Sequence, residues 1–145
     1  MPFDNEGRNL IIVAVDGSDG SVKAMHRASA MARAMQGTRL IVVHVISAKD
    51  HPTLLTETED KEAEARASCI IRDAIEIAHS EGVVARSAVL RGHPVASPII
   101  QFAEDHNADL IVTGCRGLHG AKGILVGSVS EALTKRAACS VLVVR

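Results

Sequence analysis

LIIVAVDGSDGS, residues 10–21, places an unbroken apolar run, Leu10 to Val15, directly before a turn of aspartate, glycine and serine. A strand that is apolar at consecutive rather than alternate positions is one covered on both faces, as in a parallel sheet. Runs of the same kind recur at Leu40 to Val45 (LIVVHV), Leu110 to Thr113 (LIVT) and Val141 to Val144 (VLVV). Ala85 to Leu90 (ARSAVL) alternates more, and less cover is expected for it.

Between these runs the apolar period lengthens to three or four residues. Val22, Met25, Ala28, Ala32 and Met35 mark an amphipathic helix, with Gly37 as its stop. Ala63, Ala67, Ile70, Ala74 and Ile77 share one face of a second helix, Glu57 to Ser80; Thr56 and Glu59 have capping-box spacing at its start and Gly82 follows its end. A third is expected near Pro94 to His106, its start blurred by Pro98, which a helix tolerates only in its first turn. A fourth runs from Ser128 to about Ala137, where Ser128 and Glu131 again have capping-box spacing. The order βαβαβαβαβ with right-handed crossovers predicts an α/β fold, a parallel sheet with helices on both faces. No break in composition divides residues 1–145, which read as a single domain. Ser47 to Thr56 reads as the one long loop between the early elements and is expected to be mobile.

The composition excludes several functions. Of 145 residues, 47% are hydrophobic and 23% charged, a globular balance, but two Phe are the only aromatic residues among Phe, Trp and Tyr. No stacking platform for single-stranded nucleic acid or carbohydrate can be built from them. A net charge of -1 argues against a dedicated binder of the phosphate backbone. There is no basic start followed by an apolar run, nor any stretch near the roughly 18 apolar residues that span a bilayer, so a cytoplasmic protein without membrane contact is expected. Three widely spaced cysteines without a CxxC pair read as reduced thiols, and the histidines show no HxH or HExxH spacing that would suggest a metal site.

In open α/β sheets ligands bind beyond the carboxyl ends of the strands, where the strand order reverses. The loops there carry Asp16-Gly-Ser-Asp-Gly-Ser21 and the segment from Gly114 to Ser128, in which five of the chain's 11 glycines fall between Gly114 and Gly127. Glycines admit close approach of a ligand to main-chain N–H groups, and a helix N-terminus presents unpaired donors that suit phosphate. Neither GxxxxGK[ST] nor GxGxxG is present. Gly114, two residues, Gly117, nine residues, then Gly127-Ser128, after a fourth strand, resembles the pattern of the universal stress protein family. The resemblance extends to Val15-Asp-Gly-Ser18, His44-Val45, Gly127-Ser-Val-Ser-Glu131 and the closing Ser140-Val-Leu-Val-Val144.

That resemblance implies an open five-stranded, Rossmann-like parallel sheet in the order 3-2-1-4-5, and the intact glycine pattern implies the branch that binds ATP, with Mg²⁺ as a companion. It puts Asp16 near the ribose or a metal-bridged phosphate, Val45 at the adenine edge through its main chain, and Ala14 and Val15 in the pocket wall. Gly114 and Gly117 would pass beneath ribose and phosphates, with Thr113 and Arg116 also among the nucleotide-binding residues, while Gly127, Ser128, Val129 and Ser130 would cap the phosphate groups. With no ring to sandwich the base, adenine recognition falls to Val45 and aliphatic walls. The implied role is regulatory, in stress adaptation, with an unnamed signalling or transport partner and a homodimer joined through the edge strand Val141 to Val144.

Plainer readings stand beside these. Asp16 could cap the helix that follows, as could Ser18 or Asp19. Arg116, His119 and Lys122, the cations of the glycine segment, could be a solvated loop, and His44 reads as a strand-end histidine. Cys115 lies in what reads as an accessible loop. Asp16 is the only carboxylate placed near the phosphates and has no partnered base, so the enzyme reading reaches at most slow ATP hydrolysis. A kinship with ATP pyrophosphatases would call for SGGxDS after the first strand, which is absent. A nucleotide-free dimeric scaffold is the remaining alternative.

Overall fold

Leu10 and Ile12 point to one side of the sheet and Ile11 and Val13 to the other, so the first strand needs two covering layers. The computed structural model, which describes residues 9–47, 56–115 and 127–145, supplies both. Five strands, β1 (Leu10–Ala14), β2 (Arg39–Ile46), β3 (Arg86–Arg91), β4 (Leu110–Gly114) and β5 (Ser140–Val144), form a parallel sheet in the order β3-β2-β1-β4-β5. Helices α1 (Asp19–Ala34) and α2 (Glu57–Ser80) bury Ala24, Met25, Ala28 and Ala74 with Ile11 and Val13. Helices α3 (Ala96–Asp105) and α4 (Ser128–Arg136) bury Ile99, Ala103 and Leu133 against Leu10 and Ile12. The expected α/β sandwich and its strand order are therefore those of the protein. The expected loop from Ser47 to Thr56 falls largely on residues 48–55, outside the described residues.

Most elements begin and end where the sequence puts them. Thr56 and Glu59 form the expected capping box on α2. Pro98 occupies the third position of α3, inside its first turn, where its missing N–H costs nothing. β3 alternates exposed and half-buried residues, as its weaker run predicts.

Two expectations are corrected. Val22 and Met35 do not lie on the buried face of α1; they are 39% and 38% exposed. The buried stripe is Ser21, Ala24, Met25, Ala28, Ser29 and Ala32, a set of mostly small side chains that lets the helix axis settle close to the sheet. The second correction concerns α4. Gly127, not Ser128, is its N-cap, and no side chain caps it. Glu131 N–H donates to Gly127 O at 2.9 Å, so the helical ladder starts one residue before the serine and the expected box is out of register.

The closeness of α1 is set at one point. A Cβ on Gly114, the last residue of β4, would stand 2.7 Å from the carbonyl carbon and 2.8 Å from the oxygen of Gly20, in the first turn of α1. Those are backbone atoms, which cannot rotate away as a side chain can. The two edges of the sheet differ as well. β3 carries Arg86 and Arg91, and Arg91 is clasped by Asp60 at 2.6 Å and Glu64 at 2.9 Å from α2. β5 presents Val141 to Val144, half-buried, and no charge before Arg145. Among the described residues, no helix is long and apolar enough to cross a membrane.

Gly114→Ala is expected to lower the free energy of unfolding by roughly 1–3 kcal/mol, the usual cost of overpacking. Urea titration should show the midpoint falling with the slope unchanged.

Candidate functional site

The chain leaves β1 toward β2 and leaves β4 toward β5, so beyond the carboxyl ends of β1 and β4 the connections part in opposite directions and open a crevice. On the β1 side, the turn Asp16-Gly17-Ser18 is tightly built. Asp16 Oδ1 accepts from Ser18 N–H at 2.9 Å, an Asx turn. Gly17 has φ of +83°, a region that side chains disfavour, and a Cβ there would meet Ile70 Cγ1 at 3.2 Å. Ser18 is then the N-cap of α1, its hydroxyl accepting from Ser21 N–H at 3.2 Å while Ser21 Oγ donates back to Ser18 O at 2.9 Å. The capping role considered for Asp16 is thus filled by Ser18, and Asp16 holds Ser18 in place.

On the β4 side the main chain of Cys115 joins three elements. Its N–H donates to Val144 O at 2.9 Å, and its carbonyl accepts from Gly127 N–H at 2.6 Å and Ser130 Oγ at 3.1 Å. Both ends of the glycine-rich segment are thereby brought together at the tip of β4. Cys115 is buried rather than accessible, which corrects the expectation that it sits in an open loop. Its side chain is enclosed because its peptide group is drawn into the sheet.

Between these two sides lies a cavity of about 390 Å³, within the range of small-molecule sites. Ala14, Val15, Asp16, Val45, Thr113, Gly114, Gly127, Ser128, Val129 and Ser130 all line it, so the structure brings these candidate residues together. Arg116 and Gly117, with His119 and Lys122, lie outside the described residues. The serines have separate duties. Ser128 is exposed and free of capping, whereas Ser130 is buried and its hydroxyl also lies 3.1 Å from Gly127 O, so its proton stays within the protein.

Other lining residues were not singled out from sequence. Ser18 and Ser21 enter because α1 starts at the cavity; Ile70 and Arg66 descend from α2; Val95 and Ile99 rise from α3. An i, i+4 pair such as Arg66 and Ile70 on a long charged helix carries no signal distinguishing it from its neighbours. His44 is a strand-end histidine, as expected, but it also lines the cavity. Its Nδ1 lies 2.8 Å from Val15 O, and because a carbonyl oxygen only accepts, that nitrogen carries the hydrogen.

The electrostatics favour an anion at one end. Two helix N-termini, those of α1 and α4, meet the cavity, but α1 is closed by Ser18 whereas α4 has no side-chain cap. The carboxylate of Glu131 does not neutralise that end at close range. It is drawn to the Lys135 ammonium at 2.8 Å, whose hydrogen bond holds the Glu131 carboxyl below its ordinary range. The N–H groups of the first turn of α4 and the positive end of its dipole therefore face the crevice. Opposite them the walls are aliphatic, from Val15, Val43, Val45 and Ile99. The arrangement suits a ligand with an apolar end and an anionic end.

Known proteins resemble the chain along most of its length. The chain is 32% identical to the universal stress protein YxiE of Bacillus subtilis over 148 residues, covering 94% of this chain and 99% of that protein. Among solved structures, a universal stress protein in complex with cAMP superposes with a TM-score of 0.74 at 27% identity, covering 94% of this chain and 97% of the other. The universal stress protein of Archaeoglobus fulgidus in complex with dAMP gives 0.72 at 26%, covering 94% and 98%. The model of the universal stress protein family matches residues 8–145, and the chain belongs to that family.

Proposed function

We propose that this protein is an ATP-binding regulatory member of the family, a stress-response module whose loaded and empty forms differ. The observation that carries the reading is the N-terminus of α4, uncapped by any side chain and opening on the cavity across from Val45. Backbone donors at Ser128, Val129 and Ser130 would hold phosphate oxygens, and the end of β2 at Val45 would take the adenine edge. The relatives that hold cAMP and dAMP support an adenine nucleotide. A triphosphate needs more positive charge than a helix end supplies, and Mg²⁺ beside Asp16, the one carboxylate among the described lining residues, is the natural source.

The functional unit we propose is a homodimer. β3 guards its edge with arginines, but β5 has apolar residues and open main-chain groups along Val141 to Val144, the kind of edge another strand covers. A second copy of β5 is self-complementary about a two-fold axis. The signalling or transport partner acts on that dimer, in the cytoplasm.

Ser128→Asp separates binding from folding. An aspartate in the first turn of a helix favours the helix, so the unliganded thermal midpoint should hold or rise. The same charge occupies the place of a phosphate, and calorimetry should show ATP affinity falling at least tenfold. Wild type with no measurable affinity for ATP or AMP, and no nucleotide released from the purified protein, would refute the reading. For the dimer, sedimentation of wild type should give twice the chain mass, and Val143→Lys should give the monomer. A wild-type monomer mass at every concentration would overturn it.

A further inference from the structure

Arg66 is the one lysine or arginine among the described residues that line the cavity. It stands one turn before Ile70, which packs over the Gly17 turn, on the helix that covers β2. Its neighbours on α2 are tied down: Lys61 to Glu57, Arg72 to Asp73, and the facing Arg91 to Asp60 and Glu64. Glu62, at the i, i-4 position where a partner would stand, makes no ion pair with Arg66, and the guanidinium is exposed and unpaired among the described residues. A guanidinium that lines the cavity with no ion-pair partner among the described residues is placed to meet a ligand.

Its place in the fold decides which part of the ligand it meets. α2 packs Ala63 and Ala67, the latter next to Arg66, against Ile46 at the end of β2 beside Val45, whereas the uncapped N-terminus of α4 is tied through Gly127 to Cys115 at the end of β4. A nucleotide with phosphates at Ser128 and its base at Val45 thus turns its base, not its phosphates, toward Arg66. The guanidinium is planar, delocalised and weakly hydrated, and it stacks on aromatic faces. The chain has no Trp or Tyr for that task.

We infer that Arg66 is the base-side affinity and selectivity residue of this site, its guanidinium lying flat on the purine in place of an aromatic ring. The inference rests on the nucleotide reading above and adds a residue to it. It sets an order among ligands: any purine nucleoside gains from the contact, whatever its phosphate count, and a ligand without a flat base gains nothing.

Titration calorimetry of the full chain with adenosine, AMP and ATP tests this. Arg66→Ala should weaken all three by a similar factor, roughly tenfold, with little dependence on salt. Arg66→Lys should lose nearly as much, because an ammonium keeps the charge and lacks the plane. The unliganded melting temperature of both variants should match wild type, since the side chain is exposed and unpaired among the described residues. Wild-type affinity in Arg66→Ala overturns the inference while leaving nucleotide binding intact. So does full rescue by lysine with losses that grow from adenosine to ATP, which would make Arg66 a phosphate contact. Wild type that binds none of the three removes the nucleotide reading and this inference with it.

Discussion

The peptide group of Cys115 is where the sheet, its last helix and the crevice are joined. One N–H prolongs the ladder into β5 through Val144, and one carbonyl takes both Gly127 N–H and the Ser130 hydroxyl, filling its two acceptor positions. Each of these bonds contributes roughly 0.5–1.5 kcal/mol, the usual net worth of a hydrogen bond, and together they satisfy a carbonyl that sits in the interior. The start of α4 is therefore fixed to the tip of β4, and the direction in which its N–H groups point follows. The side chain at 115 takes no part in those bonds.

Across the crevice a second constraint acts by shape. Gly114 and Gly20 bring main chain against main chain, and the small residues on the inner face of α1 continue that closeness along the helix. Any side chain at 114 would lever the first turn of α1 outward, carrying Ser18 and the Asp16 turn with it. The glycine that begins the nucleotide-type motif thus has a packing role before it has a ligand role. A loss of binding in a Gly114 variant would report both at once, which is why an acidic residue at Ser128, outside the packing, is the cleaner probe.

Much of this was legible in the sequence. Runs such as LIIVAV and LIVVHV announce strands covered on both faces because a parallel sheet leaves no exposed side, and the capping box at Thr56 and Glu59 fixes the start of α2. The misreadings have physical causes. On α1, periodicity rewarded the bulky Val22 and Met35, but the helix packs too closely for them and buries Ser21 and Ser29 instead. At α4, Ser128 was the obvious cap by residue type, yet Gly127, bonded to Cys115, takes the N-cap position while the helix begins at Ser128 as expected, a long-range tie that no local spacing reveals. Arg66 was invisible because the sequence of α2 is rich in charge throughout, and only the crossing of that helix over β2 brings one of its arginines to the cavity.

The contrast between the two helix starts completes the account of the site. At α1 the protein supplies its own acceptor: Ser18 takes Ser21 N–H, and Asp16 takes Ser18 N–H. At α4 it supplies none: the N-cap is Gly127, which forgoes roughly a few tenths of a kcal/mol relative to a serine or aspartate cap. An anion at that end would provide the missing acceptors, and a ligand bound there would stabilise the fold by mass action. The first turn of α4 leads through Gly127 and Cys115 to Val144, the end of the exposed edge β5. The first turn of α4 is thereby joined, over two main-chain hydrogen bonds, to the end of the edge strand.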